Sequence, residues 1–117
     1  MSKTHTGGCQ CGTVRYEASF ELGKVMACNC SRCGRIGSLF SFVPASDFLL
    51  ISGDDDLQDY QFNTNVIHHL FCKICGIESF ARGVGPDGAE MVAINARCLD
   101  DVDVGALEIT EIDGRSL

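Results

Sequence analysis

Seven of the eight cysteines in this chain fall into three short clusters, and each cluster ends in Cys-Gly: Cys9-Gln10-Cys11-Gly12, Cys28-Asn29-Cys30-Ser31-Arg32-Cys33-Gly34 and Cys72-Lys73-Ile74-Cys75-Gly76. Cys98 stands alone. A tetrahedral zinc with Zn–S bonds of ~2.3 Å needs its sulfurs about 3.8 Å apart. Cysteines two or three residues apart reach that spacing when the backbone curls around the metal. A glycine after the last cysteine suits the curl, because it accepts φ > 0 and offers its N–H to a sulfur. One local solution repeated three times limits the chain to folds that bring these turns to metal.

Ligand counting separates the clusters. Cys9 and Cys11 with Cys72 and Cys75 complete a four-thiolate set that joins the start of the chain to residue 75; four thiolates leave no position open, so such a site is structural. Cys28, Cys30 and Cys33 supply three ligands within six residues, a set with a vacant position for water or substrate and therefore suited to a catalytic metal. The three share one loop, so this metal is expected to be the more labile of the two. Cys98 could close the second set as a fourth ligand, giving two structural sites. Alone in the apolar run Met91 to Leu99, it reads better as a buried small hydrophobe near the second cluster. His68 and His69 could be ligands or a proton relay; at the end of an apolar strand one turns inward and one outward, which favours a structural role for at least one. His5 falls in a terminal segment that reads as disordered. A lone Cys-x-x-Cys also fits a redox motif, but no βαβ pattern surrounds Cys72 and Cys75.

The 117 residues read as one domain, 1–117, whose core is modest enough that metal staples help. Nine basic and sixteen acidic residues give a net charge of −7, a poor match to nucleic acid. The runs Asp54-Asp55-Asp56 and Asp100 to Asp113 read as solvated surface, whereas Arg32 and Arg35 flank the second cluster. The N-terminus has no apolar signal core, and no run approaches the ~18 residues of a membrane span. The default compartment is the cytosol, where thiols stay reduced and clustered cysteines point to metal rather than disulfides.

Thirteen glycines and only two prolines punctuate short apolar segments, a pattern of strands and tight turns. Thr13 to Ser19 alternates, with Val14, Tyr16 and Ala18 on one face and Arg15 and Glu17 on the other. Further strands are expected at Val25–Cys28, Ser38–Val43, Phe48–Ile51, Leu57–Phe62, Val66–Phe71, Ser79–Ala81, Met91–Asn95 and Leu107–Ile112. Gly85-Pro86-Asp87-Gly88 is a turn and predicts a hairpin. Helix is expected only in short pieces near Ser31–Ile36 and Pro44–Phe48. The fold class is mainly β, a sandwich or folded-over sheet.

Gly7-Gly8-Cys9-Gln10-Cys11-Gly12-Thr13-Val14-Arg15-Tyr16, Cys28-Asn29-Cys30-Ser31-Arg32-Cys33 and Phe71-Cys72-Lys73-Ile74-Cys75-Gly76 together resemble the glutathione-dependent formaldehyde-activating enzyme family, which also contains centromere protein V. Ile94-Asn95-Ala96-Arg97-Cys98-Leu99-Asp100 is similar to the family's late strand motif, and the resemblance runs from about Gly7 to Asp103. It implies a zinc-pinned β-tent fold of short antiparallel strands, similar to methionine sulfoxide reductase B. It also implies a structural zinc on Cys9, Cys11, Cys72 and Cys75 and a catalytic zinc on Cys28, Cys30 and Cys33. The implied activity is that of a carbon–sulfur lyase acting on S-hydroxymethylglutathione or another thiol adduct of a small aldehyde.

Two functions then compete. In an enzyme, an incoming thiol such as glutathione takes the open zinc position and reacts with a small carbonyl, and Arg32 and Arg35 either bind substrate carboxylates or serve as solvated or zinc-balancing cations. In a non-catalytic binding module, both zincs only hold the fold. A site that accepts thiol distinguishes the first from the second.

Overall fold

The computed structural model describes residues 3–62, 66–100 and 102–116; Met1 and Ser2 of the N-terminal segment and Asp101 of the acidic run lie outside them. Strand formers broken by turn residues yield, among the described residues, ten short strands and one turn of α-helix. The strands are β1 (Lys3–Gly8), β2 (Arg15–Phe20), β3 (Lys24–Cys28), β4 (Phe40–Pro44), β5 (Phe48–Ser52), β6 (Leu57–Tyr60), β7 (His68–Cys72), β8 (Phe80–Val84), β9 (Glu90–Asn95) and β10 (Glu108–Ile112). The helix α1 covers Cys33–Ile36, and a 3₁₀ turn covers Ala45–Asp47, the two places where helix was expected; 3₁₀ turns at Asp54–Asp56, Ala96–Cys98, Val104–Ala106 and Gly114–Ser116 go beyond that expectation. The protein is mainly β, as its sequence indicates. No helix among the described residues is long and apolar enough to cross a membrane.

Two sheets form. One has the order β1-β2-β5 and the other β10-β3-β4-β9-β8-β7-β6. The pairings are antiparallel except that of β10 with β3. The Gly85–Gly88 turn joins β8 to β9 as a hairpin, closed by Gly85 N–H on the Ala89 carbonyl at 2.8 Å. Beyond the expected strands, residues 3–8 pair along all of β2. His5 is therefore part of a strand rather than a disordered end, and its ring lies 5.0 Å from that of Phe20. The polar composition of Lys3-Thr4-His5-Thr6 hid this strand. It is an edge strand held by backbone pairing, so it needs little apolar content of its own.

The main core lies between the sheets. Val14, Tyr16, Ala18 and Phe20 meet Val25, Val43, Phe80, Val92 and Ile94. The predicted alternation of β2 holds, with Tyr16 and Ala18 inside and Arg15 and Glu17 at the surface side. Tyr16, Phe48 and Phe80 form a ring cluster with centroids 4.8–5.7 Å apart, a spacing at which tilted aromatic pairs add to their area burial. The Tyr16 hydroxyl donates to the Ser79 carbonyl at 3.1 Å, so the one polar atom of the cluster is satisfied.

Strand alternation gives the seven-stranded sheet two distinct faces. Leu70, Cys72, Phe80, Val92, Ile94 and Val43 point to the main core. Their neighbours face the other way: register aligns Phe42 with Ala93, Ala93 with Ala81, and Ala81 with His69 in one row across four strands. A second, smaller cluster forms on that face from Cys33, Phe40, Ala81 and Ala93, with Cys28 and Cys30 against it.

The loop after β5 depends on a glycine. Gly53 has φ = +94°, and a Cβ there would stand 2.7 Å from the Thr13 carbonyl oxygen and 2.8 Å from Val14 Cα. Gly53→Ala thus combines a left-handed backbone with a backbone collision. It is expected to cost about 2–4 kcal/mol in urea unfolding, and a loss below about 0.5 kcal/mol would show that this close approach is not a constraint.

Candidate metal centres

The first set is built by two turns of the same design. Cys9 and Cys11 lie in the connection from β1 to β2; Cys72 ends β7, and Cys75 follows in the connection to β8. In each turn the first cysteine donates its N–H to the carbonyl five residues on: Cys9 to Val14 and Cys72 to Ile77, both at 3.1 Å. The closing glycines donate back to the same cysteines, Gly12 to the Cys9 carbonyl at 3.3 Å and Gly76 to the Cys72 carbonyl at 2.8 Å. Both have positive φ, +84° and +80°, which glycine alone adopts at little cost.

These turns bring all four sulfurs within 4.8 Å of one another. Cys9 and Cys11 are 3.6 Å apart, and Cys11 and Cys72 are 3.7 Å apart, close to the roughly 3.8 Å edge of a tetrahedral zinc–thiolate site. Backbone N–H groups point at the sulfurs, from Val14 to Cys9 at 3.3 Å and from Ile74 to Cys72 at 3.4 Å. The Thr13 side chain and backbone hold the Cys11 thiol below its ordinary value. For Cys75, burial works upward, but N–H donors at Cys11 and Ile77 and the thiols of Cys9 and Cys11 outweigh it and bring the group down to about 6. Cys72 moves the other way: backbone donors at Cys75 and Ile74 lower it, but burial and the neighbouring Cys11 and Cys75 push it up to about 11. One thiol held low beside one held high is what like charges produce when they share a site. A cation is needed before all four can ionise together, and the donor set fits a thiophilic metal.

The second set is built differently. Cys28 ends β3, and Cys33 opens α1. Gly34 was expected to curl like Gly12 and Gly76, but it lies in the helical turn without positive φ, and its N–H goes to the Cys30 carbonyl at 2.9 Å. Gly37, at φ = +71°, ends the turn instead. The sulfurs of Cys28, Cys30 and Cys33 also lie within 4.8 Å of one another. The Cys33 N–H reaches the Cys30 sulfur at 3.3 Å. Burial would raise Cys30, yet the N–H groups of Cys33 and Arg32 bring it below its ordinary value. Burial, helped by Cys30 and Cys28, pushes Cys33 up to about 12. This set again fits a metal, with three sulfurs rather than four.

Residues without a motif frame this loop. The Asn29 side-chain amide donates to Asp113 at 3.0 Å, and its carbonyl oxygen accepts from Arg115 N–H at 2.9 Å. Gly114 lies so close to Cys28 that a Cβ would overlap the sulfur. On the other side, buried Glu78 accepts from Arg32 Nε at 3.1 Å and Nη2 at 2.7 Å, and its second oxygen lies 3.4 Å from His69 Nδ1. The Arg32 guanidinium also stacks over Tyr60, 4.7 Å from the ring centroid. Arg35 is exposed and bonds the Ser31 carbonyl at 2.8 Å. Of the histidine pair, His69 is buried on the face that carries the three-cysteine loop, whereas His68 is partly exposed and pairs with Asp59 at 2.7 Å. Neither belongs to a cysteine set. Nothing local in the sequence marks Asn29, Asp113 or Gly114, because they meet through the parallel pairing of β10 with β3. Glu78 carried a weak signal, as a carboxylate beside the buried run Ser79–Phe80.

Cys98 joins neither set. Its expected buried place near the second cluster needs correction: it is half-buried, its sulfur lies 4.0 Å from the Glu78 carbonyl, and it feels the charges of Cys9 and Cys75 in the first set. The bridge from Gly7 to Leu99 draws this segment to the three-stranded sheet, which the sequence did not indicate. Burial, then those two cysteines, pushes its thiol up to about 11.

A mainly β protein carrying one four-cysteine and one three-cysteine set is the class that this geometry defines. A family model described as glutathione-dependent formaldehyde-activating enzyme matches residues 4–112. The chain belongs to that family. A crystal structure of a Rhodobacter sphaeroides protein is similar to it at a TM-score of 0.75 and 30% identity, covering 90% of this chain and 99% of that one.

The two sets should respond differently to ligand loss. Cys72→Ser is expected to lose metal and cooperative unfolding together, because metal binding at a site that joins distant segments is folding free energy. Cys33→Ser is expected to lose metal but keep a cooperative melt. Cys98→Ala is expected to keep the full metal content. Metal analysis alongside thermal melts checks all three, and a lost metal in Cys98→Ala would return Cys98 to a ligand set.

Proposed function

We propose that the four-cysteine set holds a structural zinc, and that the three-cysteine set holds a more labile zinc at which a carbon–sulfur bond between a thiol such as glutathione and a small aldehyde is made or broken. The observation that carries this reading is the difference in ligand number. Four sulfurs converge at the first set, but among the described residues only three converge at the second. Zinc there would supply one thing, a lowered pKa for an added thiol, so that thiolate persists at neutral pH.

The chain's own residues supply the rest. Cys28, Cys30 and Cys33 would hold the metal, and the N–H groups of Cys33 and Arg32 favour the anionic form of the Cys30 sulfur. Arg35, exposed at the same helical turn, suits a substrate carboxylate; Arg32 would bind one while sharing its guanidinium with Glu78. In the addition direction the thiol S–H gives up its proton, sulfur bonds to the carbonyl carbon, the C=O π bond opens, and the proton ends on oxygen as a hydroxymethyl group. The lyase direction is the reverse. The family match and the fourth position support this as a zinc-dependent carbon–sulfur lyase of the S-hydroxymethylglutathione type.

Cobalt substitution tests the proposal. With Co²⁺ at the three-cysteine set, glutathione is expected to add a thiolate–metal charge-transfer band as a fourth sulfur enters. Mild chelation is expected to remove this metal first and leave the domain folded. A spectrum that already shows four thiolates and does not respond to thiol would close the site, and a zinc-stabilised binding module without catalysis would replace the enzyme.

A further inference from the structure

The sheet face that carries the three-cysteine set does not end there. Ala81 and Ala93, against which Cys33 packs, also form the floor of an adjoining cavity of about 360 Å³. Phe42, Ile67, Gly83 and Met91 complete its walls on the same face. The cavity exists because small residues (Ala81, Gly83, Ala93) occupy the centre of two neighbouring strands, while larger ones stand around them. Phe42 remains 50% exposed and Ile67 51% exposed at its rim. Among the described lining residues the charged one is Arg82. Its guanidinium lies over Phe48 and Phe80, 5.1 and 5.5 Å from their ring centroids, and so serves the opposite face. Among the described lining residues none carries an acidic side chain, and the one basic side chain is stacked on rings of the opposite face.

We infer that the cavity is a specificity subsite for an uncharged apolar substituent, alkyl or aryl, of the thiol or aldehyde bound at the three-cysteine set. This rests on the reading of that set as a thiol site and narrows its substrate class: one part of the substrate meets Arg35 and the metal ligands, and an apolar part lies over Ala81 and Ala93. Gly83 offers a clean way to fill the space. Its φ is not positive, and a Cβ there would meet only Ile67 Cγ1 at 3.7 Å, ordinary contact.

The test uses the full chain with Co²⁺ at the three-cysteine set, titrated with ethanethiol, butanethiol and benzyl mercaptan, with glutathione as the polar reference. Butanethiol is expected to bind about tenfold more tightly than ethanethiol, from two more buried methylenes. In NMR spectra, the methyl signals of Ile67 and Met91 are expected to shift with butanethiol and not with ethanethiol. In Gly83→Leu the butanethiol-to-ethanethiol ratio is expected to collapse toward one; taking the ratio within each protein cancels any change at the metal. If Gly83→Leu does not fold, the chain-length series in the unaltered protein still decides. Thiols that all bind, with no dependence on chain length and no methyl shifts, would overturn the subsite and leave the thiol site standing. If no thiol changes the cobalt spectrum, both fall. A dimer in sedimentation that Phe42→Ser dissociates would make this face an interface between copies and would also overturn the inference.

Discussion

Everything in this structure hangs on the join between two turns that lie some sixty residues apart. The Cys9–Gly12 turn belongs to the three-stranded sheet and the Cys72–Gly76 turn to the seven-stranded one. Their sulfurs meet at the edge of the core between the sheets, where Cys9 and Cys72 are buried among Val14, Leu57 and Leu70. Four thiols in that space cannot ionise together without a cation. The join would therefore be weak when protonated and strong with a metal bound, which would couple the packing of the sheets to metal. A chain of this size has little core to spare for the same purpose.

The seven-stranded sheet divides the labour. Because side chains alternate, Leu70 and Cys72 face the core and the four-cysteine set, while His69 and Phe71 face the three-cysteine loop. A one-residue slip of β7 would exchange these faces and bury the wrong set. The register is held from both sides by β6 and β8, and by Glu78, whose two oxygens tie His69 on β7 to Arg32 inside the cysteine loop. A buried carboxylate shared by a guanidinium and an imidazole adds little net stability, but losing the guanidinium leaves a charge stranded. It therefore fixes the geometry of the loop relative to the sheet more than it holds the sheet together.

Much of this was legible in the sequence because the controlling rules are local. Cysteine spacing followed by glycine located both sets, and short apolar runs between turn residues, with alternation in Thr13–Ser19, located most strands within a residue or two. What failed was whatever depended on contact between distant segments. Lys3–Gly8 carries no apolar pattern, since an edge strand can be held by its backbone alone. Gly34 looks like Gly12 and Gly76 on the page, yet three cysteines in six residues favour a helical turn over the open curl. Cys98 was misplaced because the Gly7–Leu99 bridge, not its own neighbours, decides where it lies. The cavity over Ala81 and Ala93 was also hidden, because small residues in a strand announce a space only once the flanking strands are known.

The contrast between the sets follows from how much chain each one fastens. The four-cysteine set joins sheets, so its geometry cannot change without disturbing the core. The three-cysteine loop is anchored instead by its surroundings: β10 runs parallel to β3, Asn29 is clasped by Asp113 and Arg115, and Gly114 lies against Cys28. Those contacts shape the loop whether or not a fourth ligand is present. A site framed in this way can exchange ligands at little cost to folding, which is what turnover requires of a metal and what a structural metal must avoid.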